Sequence, residues 1–176
     1  MSDLTLKLIG PRHVQKVHDL FCIPEVFEYL ADGAEPPRSV AKEWAELSQA
    51  DWEEYGGGLW AIEPVDGGDL IGLARLSGGE TGELELTYLL HPGNWKQGLA
   101  TRMAHTVISQ CFDRGKIGMI WAGADEPNTA SISVMRNLGM TFRRNVSYPA
   151  GRGVEYEISK DNFVPERFER LKVVQG

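Results

Sequence analysis

The chain has 176 residues, a formal net charge of −7, 42% hydrophobic and 24% charged residues. These proportions are those of a globular protein rather than a disordered one, and the acidic balance argues against a general nucleic-acid binder, which needs a basic footprint. No apolar run approaches the ~20 residues a membrane span needs, and no basic-then-apolar leader is visible, so a cytoplasmic protein that contacts neither membrane nor nucleic acid is expected.

In chain order, Leu4 to Leu8 alternates apolar and polar residues and predicts a strand closed by Gly10-Pro11. From Arg12 to Leu30 the apolar residues recur at helical spacing, with Pro24 breaking the run into two pieces. Ala31 to Arg38 reads as a loop. Ser39 is the expected N-cap of a helix carrying Val40, Trp44, Leu47 and Trp52 on one stripe and stopped by Gly56-Gly57-Gly58. Short strands at Leu59–Ile62 and Leu70–Leu76 flank the turn Asp66-Gly67-Gly68-Asp69. A second turn at Gly78-Gly79 and Gly82 leads to a strand, Glu83–Leu90. There Leu84, Leu86, Tyr88 and Leu90 share one face, and Glu83, Glu85, Thr87 and Leu89 the other.

A long amphipathic helix is predicted from Gly98 to about Arg114, with Leu99, Met103, Val107, Cys111 and Phe112 along one side. A strand at Ile117–Ala122 follows, then a helix from Asn128 to Leu138 closed by Gly139. The last strands are placed at Thr141–Tyr148 and Val154–Ser159, and the tail from Pro165 to Val173 as a short helix. No repeat or linker interrupts the pattern, so residues 1–176 read as one domain. Cys22 and Cys111 fit no metal-ligand spacing, His13 and His18 are five residues apart, and His105 stands alone, so no metal site is expected.

The segment with the most chemistry in it runs from Glu85 to Thr101. A half-polar strand delivers the chain to a turn, and the turn opens a helix at Gly98 whose first N–H groups lack intrahelical acceptors. With the positive end of the helix dipole, such a terminus holds phosphate. Gly98 and the small Ala100 allow close approach, Lys96 adds a cation and Thr101 a hydroxyl. The pattern is neither a P-loop nor a GxGxxG dinucleotide site.

Trp95-Lys96-Gln97-Gly98-Leu99-Ala100-Thr101 resembles the acetyl-CoA signature of the GNAT superfamily of N-acetyltransferases, closest to the branch of ribosomal-protein alanine acetyltransferases. Asn128-Thr129-Ala130-Ser131, leading to Leu138-Gly139-Met140, is similar to that branch's N-x-x-S helix, and Glu85-Leu86-Thr87-Tyr88 to its E-I-G-Y strand. Trp95 stands where the superfamily usually has Gln or Arg, Lys96 where the branch has Gly, and Thr87 where Gly is common.

The resemblance implies an α/β (α+β) GNAT acyl-CoA N-acyltransferase fold: a mixed, mostly antiparallel twisted sheet with helices on both faces. It implies acetyl-CoA as co-substrate in a gap between two splayed strands. The pantetheine arm would pair with Leu89, Leu90 and His91, and the pyrophosphate would rest on Lys96, Gln97, Gly98, Leu99, Ala100 and Thr101. Asn128 would bond the pantetheine. Glu85 is the candidate base, against a plain place on the solvated face of its strand. Ser131 is the candidate acid at the leaving sulfur, against a simple helix-start role, with Tyr88 second. Trp60 and the Phe27/Glu28 region are candidates for the acceptor pocket. The expected partner is a primary amine, a small molecule or a protein N-terminus, and the protein a monomer or homodimer. Two other functions use the same features: an acyl-CoA-binding module without turnover, and a nucleotide- or sugar-phosphate-binding domain.

Overall fold

The computed structural model describes residues 4–30, 33–78 and 81–174. The loop residues Ala31 and Asp32 and the turn residue Gly79 lie outside them. Strand β1 (Leu4–Leu8) is followed by helices α1 (Val14–Phe21) and α2 (Pro24–Phe27), the break falling at Pro24, which sits at the first position of α2. Helix α3 (Arg38–Tyr55) precedes strands β2 (Gly58–Pro64), β3 (Gly72–Gly78) and β4 (Glu83–Leu90). Then come helix α4 (Leu99–Arg114), strand β5 (Met119–Asp125), helix α5 (Thr129–Asn137) and strands β6 (Thr141–Tyr148), β7 (Gly151–Ser159) and β8 (Lys172–Val174).

All eight strands join one sheet, in the order β6-β7-β5-β4-β3-β2-β1-β8. Neighbours are antiparallel except β4 with β5 and β1 with β8. Strand alternation sorts the core into two layers. Trp60, Ile62, Leu76, Leu84 and Leu86 pack with Met103, Val107, Cys111 and Phe112 of α4 on one face. Leu59, Ala61 and Leu73 pack with Val17, Leu20 and Phe21 of α1 and with Ala41 and Ala45 of α3 on the other. The mostly antiparallel sheet with helices on both faces is the expected architecture.

Several local expectations are corrected. Helix α3 starts at Arg38 after Pro37, not after Ser39, and no side chain caps it. Its buried stripe is Ala41, Ala45 and Ser48, while Leu47 is 43% exposed and Trp44 and Trp52 are half-buried. Small residues let the helix lie close on β2, where Ser48 Oγ accepts from the Leu59 N–H at 2.8 Å. Strand β5 begins two residues late and extends to Asp125, because its partner β7 already begins at Gly151 and pairs there with Tyr148 across a two-residue Pro149-Ala150 turn. The tail forms no helix. Its N–H and C=O groups go instead to the outer side of α4: Leu171 N–H donates to Thr106 Oγ1 at 3.0 Å, and Val164 C=O lies 3.1 Å from His105 Nε2. The chain then adds β8 in parallel to β1.

Candidate active site at the splayed strand pair

The parallel pairing of β4 with β5 covers only Glu83–Met119, Leu84–Ile120 and Glu85–Trp121. Strand β4 continues to Leu90 and β5 to Asp125 without pairing to each other, held by their outer neighbours β3 and β7. A wedge therefore opens beyond Glu85 and Trp121, bordered by two strand edges. Gly72 on β3 permits the close approach of β4 there, since a Cβ at that position would stand 2.6 Å from the Leu89 carbonyl oxygen.

At the wide end the chain turns through Pro92–Asn94 into α4. The Trp95 indole N–H donates to the Leu90 carbonyl at 2.9 Å and pins this turn to the strand end. Lys96 and Gly98 both adopt left-handed backbone angles, with φ of 60° and 72°. Lys96 is the one non-glycine residue to do so among the described residues, and such strain clusters at ligand-binding loops. The first intrahelical bond runs from Arg102 N–H to Gly98 C=O, so the N–H groups of Leu99, Ala100 and Thr101 carry no such bond. The Leu99 and Thr101 side chains turn inward and are buried, leaving Lys96, Gln97 and Gly98 at the surface. No atom lies within 4 Å of a Cβ built on Gly98. This open, N–H-lined helix start fits a pyrophosphate. Of the three residues expected to pair with pantetheine, His91 donates its N–H to Ile71 C=O at 2.8 Å, and Leu90 has its C=O on Trp95.

Across the wedge, Asn128 caps α5 by accepting from the Ser131 N–H at 3.1 Å, which leaves its amide N–H groups unbonded among the described residues. The Tyr88 hydroxyl reaches over from β4 and lies 2.8 Å from Ser131 Oγ, donating to or accepting from it, and 2.8 Å from the Ser131 carbonyl oxygen. The two candidate acids are thus one hydroxyl pair. Burial pushes the Tyr88 phenol far above its ordinary value, with the Ser131 bond pulling the other way, so it stays protonated.

Glu85 lies on the opposite face of the sheet, at the last paired position before the wedge. Burial raises its carboxyl above the usual carboxylate range; Arg75 opposes that shift and Glu155 adds to it. Arg75 packs its guanidinium over the Trp44 ring, 4.9 Å from the centroid, and its Nε has no hydrogen-bond partner. Base and acid candidates therefore flank the same opening from its two faces. Trp60 does not line it: the ring is 1% exposed, stacks edge-on against Trp52 and bonds Gly57 C=O at 3.2 Å, because its strand position turns it to the α4 side. Cys111 is buried in the α4 core and its thiol is pushed up to about 12, which makes it inert. No group of three or more His, Cys, Asp or Glu able to hold a metal ion occurs among the described residues. Nor is any described helix long and apolar enough to cross a membrane.

Sequence reading missed Trp95 as a pin and Tyr148 as a wall. The Tyr148 ring lies across Gly123 of β5 and Gly153 of β7, where any Cβ would collide with it. Gly123 and Gly153 fall just outside the strands the sequence predicts, so no in-strand glycine signalled the trough.

An open sheet with one splayed parallel pair, and an open, N–H-lined helix start beside it, is the acyl-CoA N-acyltransferase fold. Residues 3–141 match the family model described as an acetyltransferase (GNAT) domain. The chain belongs to the GNAT acetyltransferase family. A curated relative, the uncharacterized protein YkkB of Bacillus subtilis, is 26% identical over 130 residues, covering 72% of this chain and 74% of that protein. Among solved structures, RimL, a ribosomal L7/L12 alpha-N-protein acetyltransferase in complex with coenzyme A, superposes with a TM-score of 0.74 at 14% identity, covering 90% of this chain and 95% of the other. The aminoglycoside acetyltransferase AAC(6')-Ib, in complex with coenzyme A and kanamycin, gives 0.72 at 16% identity over 91% and 96%.

Proposed function

We propose that the protein transfers the acetyl group of acetyl-CoA to a primary amine by direct attack in a ternary complex, the acceptor being a small amine or a protein N-terminus. The observation that carries this reading is the wedge itself, with Glu85 on one face and the Tyr88–Ser131 pair on the other. The pyrophosphate sits on the start of α4, from Lys96 to Thr101, and the pantetheine runs along the free edge of β4 near Leu89, Leu90 and His91, with Asn128 as a side-chain contact. Glu85, directly or through water, takes the proton of the incoming ammonium. The amine nitrogen then bonds to the thioester carbonyl carbon, and a backbone N–H near Leu89 holds the oxyanion. Collapse breaks the C–S bond; the Ser131 hydroxyl, backed by Tyr88, gives its proton to the leaving thiolate and is restored, through water, by the second proton that the attacking nitrogen sheds as the amide forms. Acceptors of both kinds occur among the structural neighbours, which supports an amine without choosing one. The one continuous sheet supports a single domain over 1–176.

The test is a panel of primary amines and short peptides with acetyl-CoA, read by product mass, together with thermal stabilisation by CoA. Acetylated product from at least one amine is expected. Stabilisation by CoA without product from any amine would instead make the chain an acyl-CoA-binding module.

A further inference from the structure

Tyr148 closes strand β6, and its ring is held by shape alone. Gly123 and Gly153, on the two adjoining strands, leave the trough it fills. Among the described residues its hydroxyl makes no hydrogen bond, although the ring is half-buried. Gly123 lies two residues past Trp121, the last β5 position paired with β4, so the hydroxyl stands at the rim of the wedge. The carboxylates acting on it are Glu155, Glu85 and Asp125, and the one cation is Arg144. Arg144 is already spent in a two-pronged pair with Glu155, at 2.7 and 3.2 Å. Glu85 and Asp125 have no ion pair or hydrogen bond from a side chain among the described residues. An oxygen fixed in place, unpartnered and bordered by two unpaired carboxylates is a poor host for an anion and a good one for an N–H donor.

We propose that Tyr148 is a specificity-determining residue whose hydroxyl receives an N–H of the acceptor, together with Asp125 favouring acceptors that carry a second cationic group near the reacting amine. The proposal rests on the acetyltransferase reading above. Burial and the surrounding carboxylates keep the phenol protonated, so the oxygen accepts through its lone pairs.

The test compares matched acceptors: 1,5-diaminopentane with 6-aminohexanoic acid, and peptides beginning Ala-Lys with peptides beginning Ala-Glu. The wild type is expected to prefer the dicationic member of each pair. Tyr148→Phe keeps the ring in its trough, so the melting temperature and the KM for acetyl-CoA should not change. Its kcat/KM for the dicationic acceptor should fall about tenfold, mostly through KM, and the preference should shrink. Equal kinetics of wild type and Tyr148→Phe on every acceptor, or a wild-type preference for the carboxylate member, overturns the proposal while leaving the acetyltransferase reading standing. No thiol release by wild type with any amine removes both.

Discussion

Glu85 is a carboxyl under two opposing influences: burial raises its affinity for a proton, and Arg75 lowers it. As a base it must be ionised, so activity is lost as the pH falls through its raised value. With Glu85 in the proposed role, the acid limb of kcat/KM is expected above the ordinary 4.5 of a glutamate. Arg75→Gln removes the opposing charge and should move that limb to higher pH, seen in a pH–rate profile against wild type. Ser131→Ala should reduce kcat about tenfold or more while CoA still stabilises the fold, because only the leaving-group proton is lost. Glu85, Tyr88 and Ser131 could all be picked out through the resemblance of Glu85–Tyr88 and Asn128–Ser131 to the family's strand and helix motifs. The alternation that sends Glu85 and Tyr88 to opposite faces was legible too, but only the folded sheet shows that Tyr88 meets Ser131. Tyr148 was beyond reach, since its place depends on a hairpin register shifted by the irregularity between Phe142 and Arg144.

At the scale of elements, the start of α4 is the clearest case of sequence dictating shape. Gly98 holds a left-handed angle with open space around it, so Gly98→Ala meets only backbone strain. It should cost about 1 kcal/mol in urea unfolding and weaken CoA binding by bending the helix start. Asn128→Ala removes a cap that also faces the wedge, and should cost about 1 kcal/mol. Strands β1, β4 and β6 were legible to the residue, because alternation with flanking turn residues bounds them. Helix α3 misled through its tryptophans: large apolar residues suggested the buried stripe, whereas the close helix–sheet approach selects Ala41, Ala45 and Ser48. The tail misled for a different reason. Its conformation is set by Thr106 and His105 on α4, partners distant in sequence.

For the whole molecule, that tail ties α4, and with it the open helix start beside the wedge, to the far edge of the sheet through β8. His105 is fully buried beneath it, between Phe163 and Phe168, with Nδ1 unpartnered. Burial lowers its pKa below the ordinary 6.5; the Val164 bond opposes this, and Arg170 and Arg167 add to it. The unfolded chain then takes up the proton first. Stability from this group is complete above pH 6.5 and declines as the pH falls below it, until the lowered folded value is passed. His13 is lowered in the same direction, so His105→Gln should flatten the decline in part rather than abolish it, as measured by thermal unfolding across pH.

One opening in the sheet is proposed to bring acetyl donor and amine together, with Glu85 as the base. Amine-dependent thiol release from acetyl-CoA, compared between wild type and Glu85→Gln at equal CoA occupancy, tests it most directly. Release in the wild type and a loss of about a hundredfold in kcat for the variant are expected, with stabilisation by CoA unchanged. Turnover by Glu85→Gln equal to that of the wild type would contradict it.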